Sequence, residues 1–360
     1  MIYLDYAATA PMTEKALAVY CEVAKKYYGN SASLHDLGGQ SQYFVEQARQ
    51  VIAQALNCNK DGIIFTGSGT EGNIIAILSL ALASSKGKHI ISSQAEHTSV
   101  HAALNTLEKM GYRVTKLSLQ QDGCIDVEQL RAAICEETAL IAIQHVNSEI
   151  GAIQPIEQIA HIAKTHDIFM HVDCVQSFCK LPLQIQVDAI TVSAHKIGGP
   201  KGCGAIYINP KLGVAPLAPG VTHEKGLRGG TLDTPAIVAF ATAVEEYHYE
   251  RGHYEKLRQY LKESLPESCE LIESKEQLPN ICGVIMEKVE GQYVLLKLNE
   301  AGIAISTGSA CDIHSDSGTK AILSMGYSIT AARQFFRMSF GESTSIESLT
   351  KVRQALLLIK

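Results

Sequence analysis

Basic residues are not in excess in this 360-residue chain: 31 Lys and Arg stand against 37 Asp and Glu, a formal net charge of -6. That leaves no electrostatic footprint for a nucleic-acid backbone. No apolar run approaches the roughly 20 residues that span a bilayer; Ile74 to Ala83 reaches half of that. The opening Met1-Ile2-Tyr3-Leu4-Asp5 lacks the basic start and apolar core of a signal peptide. None of the ten cysteines forms a CxxC pair, so neither a zinc site nor a disulfide framework is indicated. Nine of them read as small packing residues. There is no internal repeat and no low-complexity tract. These absences exclude a nucleic-acid-binding, membrane or secreted protein and predict a cytoplasmic enzyme with reduced thiols.

What is present is globular. Hydrophobic residues make up 46% and charged ones 19%, and the length suits two domains. From Gly62 onward, short β-branched runs alternate with helical patterns. The strands are expected at Gly62–Thr66, His89–Ser92, Tyr112–Leu117, Leu140–Gln144, Ile168–Val172 and Ala189–Val192, with Ala205–Ile208 as a hairpin partner. Such alternation predicts an α/β fold with a largely parallel, doubly covered sheet. Asp126 with Gln129 three residues on has capping-box spacing, and Thr98 or Ser99 is expected to cap the helix after Glu96-His97. After Pro210 a Gly/Pro loop runs to Gly230. A helix from Pro235 into the Tyr247–Tyr254 region leads to a second, smaller unit.

In the stretch Ile190–Gly204 (ITVSAHKIGGPKGCG) a buried strand ends at Ser193, and His195-Lys196 follow at once. Ligands of open α/β sheets bind outside such strand ends. A lysine there is either a solvated turn residue or a Schiff-base nucleophile with a depressed pKa. Gly67-Ser68-Gly69-Thr70-Glu71-Gly72 matches GxGxxG between a strand and a helix, with Glu96 about 20 residues on. That spacing admits a nicotinamide dinucleotide, and any such loop seats phosphate on helix amides. A dehydrogenase leaves Lys196 and Asp173 unexplained. Thr70, Asn147, Asp173 with Gln176, and Ser193 with His195-Lys196 all fall at strand ends, where they converge on one crevice. A phosphate seat, a carboxylate and a lysine together suit pyridoxal 5'-phosphate.

The motifs YLDYAATAP, GNSASLH, FTGSGTEGN, EHTSV, HVNSEIGAIQPI, HVDCVQS, SAHKIGGPKG, GLRGGTL, STGSACD and FRMSFG cover nearly the whole chain. In order and spacing the sequence resembles the NifS/IscS-type cysteine desulfurases of the class V aminotransferase family. The resemblance implies a PLP-dependent transferase (aspartate aminotransferase-like) fold. Residues 15–245 would form the large cofactor-binding domain, and 1–14 with 246–360 a small α+β domain carrying a mobile cysteine loop. It implies Lys196 as the Schiff-base and proton-transfer residue, Asp173 as partner of the pyridinium nitrogen, and His97 as the ring-stacking acid/base. It further places Gln176 at the ring oxygen and Gly69, Thr70, Ser193 and His195 at the phosphate. Thr231 would reach the phosphate of a partner subunit, implying a homodimer. Asn147 would lie near the substrate carboxylate and Arg337 would clamp it with a bidentate fork.

By the same resemblance Cys311 takes sulfur from L-cysteine, releases alanine and passes its persulfide to an acceptor protein. The acceptor could be an iron–sulfur scaffold, an apo-enzyme or a thiolation enzyme. A selenocysteine lyase or a small-substrate aminotransferase is the rival activity, and a silent partner-binding homologue a third. The polar stretch after Cys311 suits a moving thiolate; His314 would lower its pKa, while Asp312 and Asp316 would oppose that. Departures from the family pattern are Ala10, Ile74, Cys174 and the turn Pro219–Glu224. Cys174 would add a second thiol near the cofactor. The end at Lys360, without the tail of scaffold-docking relatives, leaves the usual scaffold in question as acceptor.

Overall fold

In a computed structural model, residues 1–183, 186–217, 219–308 and 319–359 are described. The chain opens with β1 (Ile2–Tyr3), α1 (Glu14–Lys26) and α2 (Asp36–Ala55), and then enters the alternation. This comprises β2 (Ile63–Thr66), α3 (Gly69–Ala83), β3 (His89–Ser93), α4 (Thr98–Lys109), β4 (Arg113–Leu117), α5 (Val127–Ala133), β5 (Thr138–Gln144), α6 (Ile156–Thr165), β6 (Phe169–Asp173), β7 (Ala189–Ser193) and β8 (Gly204–Ile208). After α7 (Thr234–Glu246) and α8 (Arg251–Ser264) come β9 (Cys269–Leu271), β10 (Ile281–Met286), α9 (Gly291–Glu300) and β11 (Ile303–Ala304). The described chain closes with α10 (Lys320–Ser324), α11 (Ile329–Arg333), β12 (Phe335–Ser339) and α12 (Ile346–Leu357).

Seven strands form one sheet in the order β2-β8-β7-β6-β5-β3-β4. Only β8 runs against its neighbours, and it is the hairpin partner of β7, as expected. The remaining strands share one direction, so their C-terminal ends lie along one edge. In β5, alternate residues face opposite cores: Ile141 and Ile143 join one cluster, Leu140 and Ala142 the other. A sheet buried on both faces needs such continuous apolar strands.

A three-stranded sheet, β12-β10-β9, packs through Phe336 and Met338 on a third core with Leu257 and Leu349. The two-residue period of a strand sends Arg337 to the other face. The N-terminal segment ties the two bodies together. It pairs β1 with β11, bridges Asp5 to Ser339, and donates the Ala10 N–H to the His195 carbonyl at 2.8 Å.

Two expectations need correction. The helix from Pro235 does not continue across. It stops at Glu246, Tyr247 is extended, and α8 starts at Arg251, the break accompanied by the Tyr249–Tyr254 ring stack at 4.9 Å. Helix α4 is capped by His97 rather than Thr98 or Ser99, its Nδ1 accepting the Ser99 N–H at 3.2 Å. The packing reading of the cysteines also has exceptions, since Cys21 and Cys135 are exposed. No helix among the described residues is long and apolar enough to cross a membrane.

Candidate active site

A cavity of about 190 Å³ opens at the shared C-terminal edge. Five strand ends contribute: Ser68, Gly69 and Thr70 after β2, His97 after β3, Gln144, Val146 and Ser148 at the end of β5. Asp173, Val175 and Gln176 follow β6, and Ser193, His195 and Lys196 follow β7. Arg337 reaches in from β12, and Ala7 and Ala8 come from the N-terminal segment.

The N-terminus of α3, with its free amides, faces the cavity and suits an anion. Ser68 caps it, accepting the Glu71 N–H at 3.1 Å. A Cβ on Gly69 would lie 2.9 Å from Val175 Cγ2, so glycine is what lets the backbone approach here. Ser193 Oγ is buried without a partner, as a hydroxyl awaiting an anion would be. His195 contacts Thr9 Oγ1 at 3.2 Å, and burial with nearby lysines pushes its pKa down to about 4.

Asp173 is buried and doubly held: Oδ2 accepts from Asn73 Nδ2 at 2.7 Å and Oδ1 from the Val175 N–H at 2.9 Å. Asn73 also donates to Ser99 Oγ at 2.9 Å, which sits 2.7 Å from His97 Nδ1. Gln176 donates Nε2 to the Ala7 carbonyl at 2.9 Å, while its Oε1 is buried and unpartnered. Lys196 Nζ donates to the carbonyls of Ala7 and Ala8 at 2.6 and 2.8 Å. Burial, helped by Arg337 and Lys180, lowers its pKa to about 7, so the half-buried turn lysine gives up its proton far more readily than a surface lysine. Arg337 is buried, with Nη1 on the Ser148 carbonyl at 2.8 Å and Nη2 on Asp5 at 2.7 Å; its Nε has no partner.

Other residues behave differently. Asn147 does not line the cavity: its Oδ1 caps the Glu149 and Ile150 N–H groups and its Nδ2 binds the Ala95 carbonyl. It was expected near a substrate; in this fold it shapes the turn after β5. Thr231 is exposed and away from the cavity lining of its own chain. Cys174 is fully buried, its thiol pKa raised by burial, and so is no accessible second thiol. Glu96 contradicts the dinucleotide reading. It is buried, bound to Ser93 Oγ at 2.6 Å and the Gln144 N–H at 2.8 Å, and is spent inside the protein. Cys311 lies outside the described residues. Asn73, Ser99 and Asp5 were not anticipated as site residues, although each lies in a motif that carries the family resemblance (FTGSGTEGN, EHTSV and YLDYAATAP).

An anion seat and a carboxylate around one desolvated lysine answer a cofactor with both a phosphate and a protonatable ring, and the orphaned Ser193 Oγ and Gln176 Oε1 fit that group. This is the class of the pyridoxal-phosphate-dependent transferases. The sequence profile of the class V aminotransferases matches residues 2–352. The putative cysteine desulfurase NifS of Bacillus subtilis is 42% identical, with 98% of this chain and 93% of that protein covered. The cysteine desulfurase IscS of Dictyoglomus turgidum is 36% identical, covering 97% and 91%. A NifS-like protein structure superposes with a TM-score of 0.91 at 29% identity, covering 99% of this chain and all of that one. The structure of SspA in complex with cysteine superposes at 0.85 with 33% identity, covering 94% and 99%. The chain belongs to the class V aminotransferase family, in its NifS/IscS-type cysteine desulfurase branch.

Proposed function

We propose that this protein is a cytoplasmic, homodimeric cysteine desulfurase. It converts L-cysteine to L-alanine and places the sulfur on Cys311 as a persulfide for an acceptor protein in iron–sulfur assembly or another thiolation. Residues 15–245 act as the cofactor-binding domain, and 1–14 with 246–360 as the domain that carries Arg337 and Cys311. The observation that carries this reading is the convergence of Lys196, Asp173 and Arg337 on one cavity.

The amides of the α3 first turn, with Thr70, Ser193 and His195, would hold the cofactor phosphate, and Thr231 of the partner subunit would complete the seat. Asp173 would pair with the ring nitrogen, Gln176 would meet the ring oxygen, and His97 would stack on the ring. When bound, pyridoxal phosphate supplies an electron sink that acidifies the substrate Cα–H and weakens its Cβ–S bond. Arg337 binds the substrate carboxylate through its unpartnered Nε and one terminal nitrogen, with Asp5 yielding part of its hold. Lys196, an amine near neutrality, takes the Cα proton. The Cys311 thiolate attacks the substrate sulfur: the Cβ–S bond breaks, an S–S bond forms, and the carbon gains a proton to leave as alanine.

The test is to incubate the holoenzyme with L-cysteine and a thiol reductant. Sulfide and alanine are expected in equal amounts. Cys311→Ala should keep the yellow colour of the lysine-bound cofactor and lose sulfide release by at least a hundredfold. Pyruvate in place of alanine, without sulfide, would reject the proposal.

A further inference from the structure

A second cavity, of about 320 Å³, shares Lys196 with the first and is lined also by Lys180, Tyr6, Tyr247, Tyr254 and Asn280. Lys180 reaches it from the turn after β6, where Cys179 adopts a left-handed φ of 60°. Lys180 is 8% exposed, yet among the described residues no hydrogen bond or ion pair reaches its Nζ. Buried lysines ordinarily have a carboxylate partner, because an uncompensated buried charge is expensive. The carboxylates of this cavity do not serve. Glu14 and Glu342 are exposed, and Glu246 is ion-paired with Lys15 at 2.5 Å. Burial keeps the Tyr247 and Tyr254 phenols protonated. Two lysines therefore line one cavity with no carboxylate between them among the described residues.

We propose that Lys180 is a positioning residue for the reaction: as an unpartnered ammonium in the cavity that Lys196 also lines, it acts through charge to keep the Lys196 amine unprotonated. The physical reason is that a like charge nearby disfavours the charged form of the second group, the more so where burial weakens screening. Burial lowers the Lys180 pKa only to about 8, so it stays mostly charged at neutral pH. The other charges facing Lys196 divide: Arg337 works with Lys180, whereas Asp5 and Asp173 oppose it. His195, whose pKa is also lowered by Lys180, is neutral near pH 7 and adds no charge. A free amine is what both cofactor capture and Cα proton removal require, so the inference rests on the desulfurase reading for its purpose but not for its measurement.

The experiment is competitive acetylation of the cofactor-free protein across pH, with Lys196 and Lys180 followed by mass spectrometry. Lys180→Met, which removes the charge and keeps the length, should raise the Lys196 midpoint by about one pH unit, a tenfold change in its protonation equilibrium. Lys180→Arg should restore it. In the holoenzyme the midpoint of the cofactor absorbance against pH should move in the same direction. An unchanged Lys196 midpoint in a Lys180→Met protein with native circular dichroism would overturn the proposal. If that variant does not fold, the unmodified protein still answers, since a Lys180 that titrates below pH 7 is neutral and cannot act this way. A protein that shows the Lys196 shift but yields no sulfide would reject the desulfurase reading alone.

Discussion

Asp173 uses each carboxylate oxygen on a different donor, and one of those donors, Asn73, sits in the second turn of α3, just before its apolar run Ile74–Leu78. Removing a donor from a buried charged acceptor costs about 2 kcal/mol. Asn73→Ala should therefore lower urea-unfolding stability by that amount and weaken cofactor retention; a loss under about 0.5 kcal/mol would show that Asp173 does not depend on it. Glu96, four residues before Val100 and beside the same site, is a carboxylic acid whose burial raises its pKa from 4.5 to about 8. A raised folded-state pKa favours the folded protein below pH 4.5, and that advantage is lost as pH climbs through about 8. Glu96→Gln, a neutral isostere, should flatten the stability profile between pH 4.5 and 8; an unchanged slope in thermal melts would refute the assignment.

At the scale of elements, the edge strand β2 leads directly into the phosphate seat, and its open side is closed by side chains instead of another strand. Arg49 of α2 donates to the Ile63 carbonyl at 2.6 Å, and Glu224 accepts the Phe65 N–H at 2.5 Å. The two residues also pair with each other at 2.8 and 3.1 Å, both nearly buried. An exposed edge invites mispairing, and this ion pair covers it while anchoring the loop that leads to Thr231. The unusual turn at Pro219–Glu224 thus has a purpose, with Glu224 and Lys225 held at φ of 43° and 59°. Breaking a buried pair by removing one partner costs about 3 kcal/mol. Glu224→Ala should show that loss, whereas Glu347→Ala, which breaks an exposed pair on α12, should change stability by less than about 0.5 kcal/mol. Equal effects in chemical denaturation would contradict the difference in burial.

For the whole molecule, the exposed Thr231 and the exposed Tyr28, Leu34, Leu37 and Tyr43 suit a site shared between two subunits. Mixing Lys196→Ala chains with Thr231→Ala chains tests this. If Thr231 acts on the opposite subunit, each mixed dimer regains one complete site, and about half of the cofactor-dependent absorbance and activity of a native dimer returns. If Thr231 acts within its own chain, no recovery follows.

The sequence by itself determined the repeating α/β order, the hairpin of β7 and β8, and the strand-end placement of Asp173 and Lys196, because periodicity and strand-end placement are local properties of the chain; the role expected of Arg337 came from the family resemblance alone. It misplaced the cap of α4 and ran α7 into α8, where an imidazole nitrogen and a tyrosine stack outweighed propensity. It assigned Asn147 to substrate, whereas the folded turn spends that amide on backbone. Only the tertiary structure decided that Asn73 holds Asp173, that Asp5 engages Arg337 from 332 residues away, and that Lys180 and Lys196 share a cavity. These are contacts between distant segments, and their strength comes from the exclusion of water, which no local pattern of residues records. The strand-end lysine was legible as a candidate; its burial, and hence its lowered pKa, exists only once the chain has closed around it.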